Sequence, residues 1–256
     1  MNAATPILSV VLPTFNERDN IAPLIERLSA ALQKIPHELL VMDDRSPDGT
    51  AAVACELGAR YPALKVIERQ PPQGLTDSIR EGVERASGEF VVWMDCDLSH
   101  PPEMVIDLLA PLQAGEADIT ALSRYVHGAA DIRASRFERL YSRAINKLAQ
   151  ICIHPAVTDY TTGYVMGERE RILDLGFVGN YGEYCIELLG RAALRGYRVR
   201  ELPYEMASRV AGESKTAPSL RHFVTRGWRY LGTVVRLVGL RITGSEARRA
   251  SAGRRT

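Results

Sequence analysis

Two carboxylates one residue apart, Asp95 and Asp97, close an apolar run in the segment Phe90-Val91-Val92-Trp93-Met94-Asp95-Cys96-Asp97-Leu98-Ser99-His100-Pro101-Pro102. Residues two apart along a strand share a face, and at a strand end the turning chain lets neighbouring carboxylates converge on one cation. Such a pair repels itself unless a hard divalent ion with oxygen ligands joins it, and that ion readily shares its shell with a diphosphate. The chemistry suggested is a nucleotide diphosphate held through magnesium or manganese. An isolated Asp-x-Asp also suits a solvated acidic turn, but the apolar strand before it and Pro101-Pro102 after it favour the ligand reading. A second acidic turn, Asp43-Asp44-Arg45-Ser46-Pro47-Asp48-Gly49, also ends an apolar run. There Asp43 and Asp48 support the turn, with Asp48-Gly49 supplying its chemistry.

The elements that must position these acids follow from the apolar periodicity. Strands are expected over 7–12, 39–42, 64–67 and 90–94, with helices between them: one through Leu24, Ile25, Leu28, Ala31 and Leu32, then 50–61 and 75–86. This β-α-β-α-β-α-β order implies an α/β fold, Rossmann-like, with a mostly parallel central sheet covered by helices on both faces. In such a sheet ligands bind beyond the carboxyl ends of the strands, where both acidic turns fall. Further on, a helix carries Met104, Val105, Leu108 and Leu109, and a strand over 119–122 ends at Ser123-Arg124-Tyr125. Helices are expected over 137–152 and 184–195, a Thr-rich turn over 159–163 and a late strand over 199–202. The chain divides into a catalytic domain over 1–218, an amphipathic helix over 219–243 and a disordered Arg-rich tail over 244–256. Leu220, Val224, Trp228, Leu231, Val235, Val238 and Ile242 line one face of that helix, with Arg226, Arg229 and Arg236 opposite. Packing on its own domain and lying in a membrane interface both suit it, and Arg236 and Arg241 interrupt the run before the ~20 residues that span a bilayer.

Composition narrows the partners. With 46% hydrophobic residues in 256 the chain has ample material for a core, and a formal charge of +1 gives no general attraction to nucleic acid. Cys55, Cys96, Cys152 and Cys185 show no Cys-x-x-Cys spacing and read as buried free thiols, which fits a reducing cytoplasm. Residues 1–6 lead straight into a strand without the pattern of a signal peptide. Neither Gly-x-Gly-x-x-Gly after the first strand nor Gly-x-x-x-x-Gly-Lys-Ser/Thr occurs, which leaves nucleotide-sugar transferases among the diphosphate binders.

The strings VVLPTFNERDN, VMDDRSPDGT, GLTDSIREGVERASGEF, VVWMDCDLSHPPE, LSRYVHG and RVAGESK, in this order, resemble the dolichol- and polyprenol-phosphate mannosyltransferases of family two of the inverting glycosyltransferases. The resemblance spans about residues 7–215 and implies the GT-A fold. It implies that Pro13, Phe15 and Glu17 line a nucleotide pocket, that Met42 and Asp44 meet the base and ribose, and that Asp95 and Asp97 flank the metal beside Cys96 and Ser99. By the same resemblance Arg124, Arg209 and Lys215 face the phosphates, and Asp97, Arg124 and Arg209 carry catalysis. This sequence departs from the family at Phe15, where Tyr is usual, at Arg45, at Cys96, and at Glu138, where a basic residue is common. Asp159-Tyr160-Thr161-Thr162-Gly163-Tyr164 is a looser form of the family's Asp-x-x-Ser-Gly-Phe.

The implied reaction moves mannose from GDP-mannose to a polyprenyl phosphate with inversion, releasing GDP. A phosphate acceptor is already anionic at neutral pH, so no dedicated base is required. The segment Gly212-Glu213-Ser214-Lys215 would close over the donor. The enzyme would sit in the cytoplasm against the inner face of the membrane, with or without a separate membrane subunit. Alternatives are another donor such as UDP-glucose, a hydroxyl acceptor with Asp159, Glu183 or Glu187 as base, and a non-catalytic nucleotide-binding scaffold.

Overall fold

Alternation along the first strand decides how the sheet is covered. Val10 and Leu12 of β1 (Leu8–Thr14) pack on one face and Val11 on the other, and the same split recurs in β4 (Phe90–Trp93), where Val92 and then Val91 and Trp93 take opposite sides. Both faces are apolar, so each needs a layer of helices. In the computed structural model, which describes residues 5–133, 135–206 and 220–253 (backbone alone for 220–226 and 251–253), those layers are present. α1 (Arg18–Ala31), α2 (Thr50–Gly58) and α4 (Val105–Gln113) supply one side. α3 (Leu75–Arg85), α5 (Arg136–Cys152), α6 (Arg169–Leu175) and α7 (Glu183–Leu194) supply the other. α3 reaches its side only because residue 82 is glycine: a Cβ there would stand 2.3 Å from Val11 Cγ1.

The sheet has seven strands. β2 (His37–Asp43) and β3 (Leu64–Glu68) extend β1 on one side, and β4 pairs with it on the other, all parallel. β7 (Val165–Glu168) then pairs antiparallel with both β4 and β5 (Ile119–Ser123), and β8 (Val199–Pro203) closes the edge parallel to β5. The order is β3-β2-β1-β4-β7-β5-β8. A small second sheet joins β6 (Ala130–Asp131) to β9 (Glu205–Met206). The strand β7 and the helix α6 are absent from the expected elements, because Val-Met-Gly-Glu is too short and too mixed to show a period. Since β7 runs against its neighbours, it begins where they end, and the turn before it is delivered to the ligand edge of the sheet.

α8 (Leu220–Thr243) lies alongside α7 and α5. It packs on the domain through Thr233, Val234 and Leu237, with Leu237 seated on Gly190 of α7. Trp228, Leu231, Val235 and Ile242 remain exposed on the adjoining face. Arg236, expected on the polar side, reaches the buried Glu187 at 2.6 Å. The tail departs from the expected disorder over 245–253. It forms α9 (Ser245–Gly253), whose buried Glu246 meets the equally buried Arg195 at 2.5 Å, on the side of the guanidinium away from its other partner, Asp174. The cysteines are free, but Cys55 is exposed and Cys152 half-buried, so only Cys96 and Cys185 fit the expected burial.

Candidate functional site

The ends of β1, β2, β4, β5 and β8 and the start of β7 meet at one edge of the sheet. Each end is shaped by its own local hydrogen bonding. At the end of β1, Pro13 is partly buried; beyond it Phe15 is exposed, and Glu17 stands at the N-cap of α1, its carboxylate accepting from Asn20 Nδ2 at 2.9 Å. After β2, the Asp43 carboxylate accepts from Thr14 Oγ1 (2.9 Å), Ser46 N (2.8 Å) and Ser46 Oγ (2.6 Å), and Asp48 accepts from Thr50 N at 3.0 Å. With Gly49 at φ 87°, these are the turn-supporting roles expected of Asp43, Asp48 and Gly49.

Asp44 is nearly buried and held from two directions. Its Oδ1 pairs with Arg69, and its Oδ2 accepts from Gly74 N at 2.8 Å. Arg69 is itself buried and also donates to Glu81 at 2.9 Å. Nothing in the local pattern singles out Arg69, although it follows β3 as the acids follow their own strands. Met42, next to the end of β2, has its side chain fully buried in the core beside Val11, with its Cγ 3.2 Å from where a Cβ of Gly82 would lie, so the strand's alternation leaves only its backbone toward this edge.

β4 delivers the acidic pair. Asp95 is partly exposed, Cys96 and Asp97 are buried, and the Cys96 thiol donates to Pro13 O at 3.4 Å, tying the ends of β4 and β1 together. Leu98 adopts φ 60°, a left-handed conformation uncommon for a side chain of this size, and Ser99 N closes the turn onto Asp97 Oδ1 at 3.0 Å. Ser99 Oγ is buried with no hydrogen-bond partner among the described residues. Those residues contain no cluster of three His, Cys, Asp or Glu side chains fit to enclose a metal. Two carboxylates and an adjacent unsatisfied hydroxyl fit a hard cation that takes its other ligands from phosphate oxygens and water. They do not fit a closed structural site.

Arg124, just after β5, is committed largely to an ion pair. It is buried, and its Nε and Nη2 grip the fully buried Asp159 at 2.7 and 2.6 Å while Nη2 also donates to Thr161 Oγ1. Burial alone would lower the guanidinium's pKa, but the Asp159 charge outweighs it and holds it raised. Glu201 of β8 accepts from the backbone N–H of Thr158 and Asp159, both at 2.7 Å, and Asn146 of α5 accepts from Tyr160 N at 2.6 Å. Arg124 thus fixes the Asp159–Tyr164 turn against β5, and only Nη1, whose contact is Met206 Sδ at 3.7 Å, is not committed to that turn. Among the three carboxylates considered as bases, Asp159 and Glu187 are engaged by arginines, and Glu183 accepts from Asn180 N at 3.1 Å. Arg209 and Lys215, with the rest of the Gly212–Lys215 segment, lie outside the described residues.

The model of the family described as glycosyl transferase family 2 matches residues 9–176, from β1 through α6. The chain belongs to glycosyl transferase family 2. This glycosyltransferase is 33% identical over 248 residues to a dolichol-phosphate mannosyltransferase of Pyrococcus furiosus, an alignment covering 93% of this chain and 68% of that one. It is 36% identical over 219 residues to a polyprenol monophosphomannose synthase of Mycolicibacterium smegmatis, covering 82% and 81%. In three dimensions it resembles glucosyl-3-phosphoglycerate synthase from Mycobacterium tuberculosis, solved with Mn2+, UDP and glucosyl-3-phosphoglycerate. The TM-score is 0.69 at 21% identity, over 92% of this chain and 81% of that one. The glycosyltransferase therefore has the expected GT-A fold.

Proposed function

We propose that this glycosyltransferase moves mannose from GDP-mannose to a polyprenyl phosphate at a membrane surface, with Mg2+ or Mn2+ at Asp95 and Asp97. The observation that carries this reading is the gathering of Asp44, Asp95 and Asp97 from two strand ends onto one sheet edge, in a chain one-third identical to a dolichol-phosphate mannosyltransferase over nearly its whole length. When bound, the cation supplies charge neutralisation for the departing diphosphate. The chain's own residues do the rest. Asp44, fixed by Arg69 and Gly74, receives the ring N–H or hydroxyl groups of the nucleoside, with Pro13, Phe15 and Glu17 along the same wall. Cys96 and Ser99 flank the diphosphate. Arg124 offers Nη1 to a phosphate, and Arg209 and Lys215 add positive charge as the nucleotide leaves. An acceptor phosphate needs no proton removed, which agrees with the arginine pairs that engage Asp159 and Glu187. Direct displacement at the anomeric carbon gives a β-mannosyl phospholipid and GDP.

Among the described residues no helix is long and apolar enough to cross a membrane. The exposed row Trp228, Leu231, Val235 and Ile242 on α8, beside the exposed Phe137, Leu140 and Ile151 of α5, suits a surface that rests in the lipid interface. That contact would place the enzyme peripherally on the cytoplasmic leaflet, where a long-chain acceptor lies. The deciding assay is transfer of radiolabel from GDP-mannose, and in parallel UDP-glucose, to a short polyprenyl phosphate with and without Mn2+. Metal-dependent labelling from GDP-mannose that disappears in Asp97→Ala is expected. Labelling from UDP-glucose alone would replace the sugar and nucleotide in this reading, and labelling of a soluble hydroxyl acceptor instead would remove the lipid.

A further inference from the structure

Charge is unevenly divided along this chain. Residues 220–256 hold nine arginines and a single carboxylate, Glu246, a formal +8, whereas residues 1–219 hold 23 basic and 30 acidic residues, a formal −7. The one carboxylate is turned inward, buried against Arg195. Among the described side chains of α8 and α9, every exposed charged group is therefore an arginine. The reaction as proposed gives these arginines no task.

Their placement follows from the helix repeat of about 3.6 residues. On α8, Trp228, Leu231, Val235 and Ile242 form one exposed stripe, and Arg229 and Arg236, seven residues apart, are exposed on the next. Only Gly232 and Gly239 stand between the two stripes, and neither has an atom within 4 Å of where its Cβ would be. α5 repeats the arrangement. Phe137, Leu140 and Ile151 are exposed on one stripe, and Arg136, Arg143 and Lys147 on the adjoining one. The two helices meet beside their apolar stripes: a Cβ of Gly227 would lie 3.1 Å from Tyr141 Oη, and Arg241 Nη1 donates to Cys152 O at 2.9 Å. On each helix those contacts fall on the side of the apolar stripe away from the basic one. The apolar stripes thus adjoin as one band, and the basic stripes form its two outer edges.

We propose that the flank formed by α5, α8 and α9 binds anionic phospholipid headgroups, which makes the membrane contact selective for an anionic leaflet. The inference deepens the proposed function and rests on it for the membrane contact itself. An apolar band alone enters any bilayer interface. Cationic side chains along both edges add a requirement for negative charge, because their stems lie on the apolar surface while their heads reach lipid phosphates. Nucleic acid would match the charge but leave the apolar band uncovered, so a bilayer surface fits the whole flank. The acidic remainder of the chain is repelled by the same leaflet, which turns the basic flank toward it.

The test is sedimentation of the full-length protein with vesicles of phosphatidylcholine alone and of equal parts phosphatidylcholine and phosphatidylglycerol, at low and high NaCl. Binding to the anionic vesicles is expected to be at least tenfold tighter, and to fall toward the phosphatidylcholine value as salt screens the surface. Arg143→Gln, Lys147→Gln and Arg229→Gln combined remove charge from both edges. Each cation near an anionic surface contributes about fivefold, so this variant should lose more than tenfold on anionic vesicles. It should lose little on phosphatidylcholine and keep the parent's melting temperature, since all three side chains are exposed. Equal affinity of the parent for the two compositions would overturn the inference, and that comparison stands even if the triple variant does not fold. A folded triple variant that binds anionic vesicles as the parent does would overturn it too, as would duplex RNA bound as tightly as those vesicles. Transfer from GDP-mannose to a short, water-soluble polyprenyl phosphate, measured without vesicles, reads the functional proposal separately. Parent and triple variant should transfer alike there, and a parent that transfers nothing would count against that proposal while the vesicle comparison still decides the lipid preference.

Discussion

The commitments of single charged groups decide which residues remain available for ligands. Arg124 and Asp159 are both buried and joined by two nitrogen–oxygen contacts at 2.6 and 2.7 Å. Breaking one side of such a pair strands the other charge, at a cost of about 3–5 kcal/mol. Arg124→Leu should lower the unfolding free energy in urea by that order, and Arg124→Lys should recover only part, because an ammonium cannot reproduce the two-pronged contact. A loss below about 1 kcal/mol in Arg124→Leu would show that the pair does not hold the Asp159–Tyr164 turn. At the opposite end of the sheet, Glu38 gives the acid limb of stability. Burial alone would raise its pKa, but hydrogen bonds from Lys65, Ser9 and Ser87 outweigh it and bring the carboxyl from 4.5 to about 2. A folded-state pKa below the unfolded one stabilises the fold above about 4.5 and loses that contribution as the pH falls through about 2. The shift corresponds to roughly 3 kcal/mol. The gap in melting temperature between parent and Glu38→Gln should therefore be wide at pH 6 and reduced by about half at pH 3, and a gap independent of pH would contradict the assignment. Of the proposed site residues, Asp44, Asp95 and Asp97 can be picked out in the sequence because each lies within four residues of the end of an apolar strand. Arg69 and the Arg124–Asp159 pair cannot, since Asp159 lies 35 residues from its partner and only the fold brings them together.

Elements were legible where their period was long enough to read. The first four strands and the helices between them stand within a few residues of where the apolar pattern puts them. β7, four residues with a glycine, carries no such pattern, yet it is the strand that turns Gly163 and Tyr164 toward the ligand edge. α9 was unreadable for a different reason: an Ala, Arg and Ser tract looks like a solvated tail until Glu246 finds the buried Arg195. Close approach of elements is equally hidden, because glycine reads as a helix breaker while here it permits packing. Gly82→Ala in α3 shows which effect dominates. Removing a glycine from a helix interior stabilises by roughly 1 kcal/mol. The new methyl, however, would stand 2.3 Å from Val11 Cγ1 and 3.2 Å from Met42 Cγ, and overpacking a core of this density costs about 1–3 kcal/mol. A net fall in melting temperature is expected, with Val11→Ala in the same chain restoring part of it. A rise in the single variant would mean that β1 yields easily to α3.

At the scale of the molecule, the ligand edge and the apolar flank formed by α5 and α8 have to serve one reaction if the acceptor is a lipid. α8 packs on the domain through Val234 and Leu237 and presents a second apolar row to solvent on an adjoining face, so a single amphipathic pattern leaves domain packing and interfacial contact undistinguished. The helix also supplies its own reporter, since the chain has two tryptophans, one fully buried at Trp93 and one 69% exposed at Trp228. On addition of vesicles containing anionic phospholipid, emission from Trp228 should shift to shorter wavelength while Trp93 contributes a constant background. Each exposed aliphatic side chain that becomes fully buried adds about 1.5–3 kcal/mol, so partial burial of two in the interface still amounts to more than a tenfold change in partitioning. Val235→Ser combined with Ile242→Ser should accordingly weaken vesicle binding at least tenfold without lowering the melting temperature by more than about a degree or two, because both side chains are mostly exposed in the free protein. Transfer to a short, water-soluble polyprenyl phosphate should survive in that variant, whereas transfer to a long-chain acceptor held in vesicles should fall with the binding. If the double variant binds vesicles as the parent does, the exposed row of α8 is not the membrane-facing surface and the acceptor reaches the site by another side.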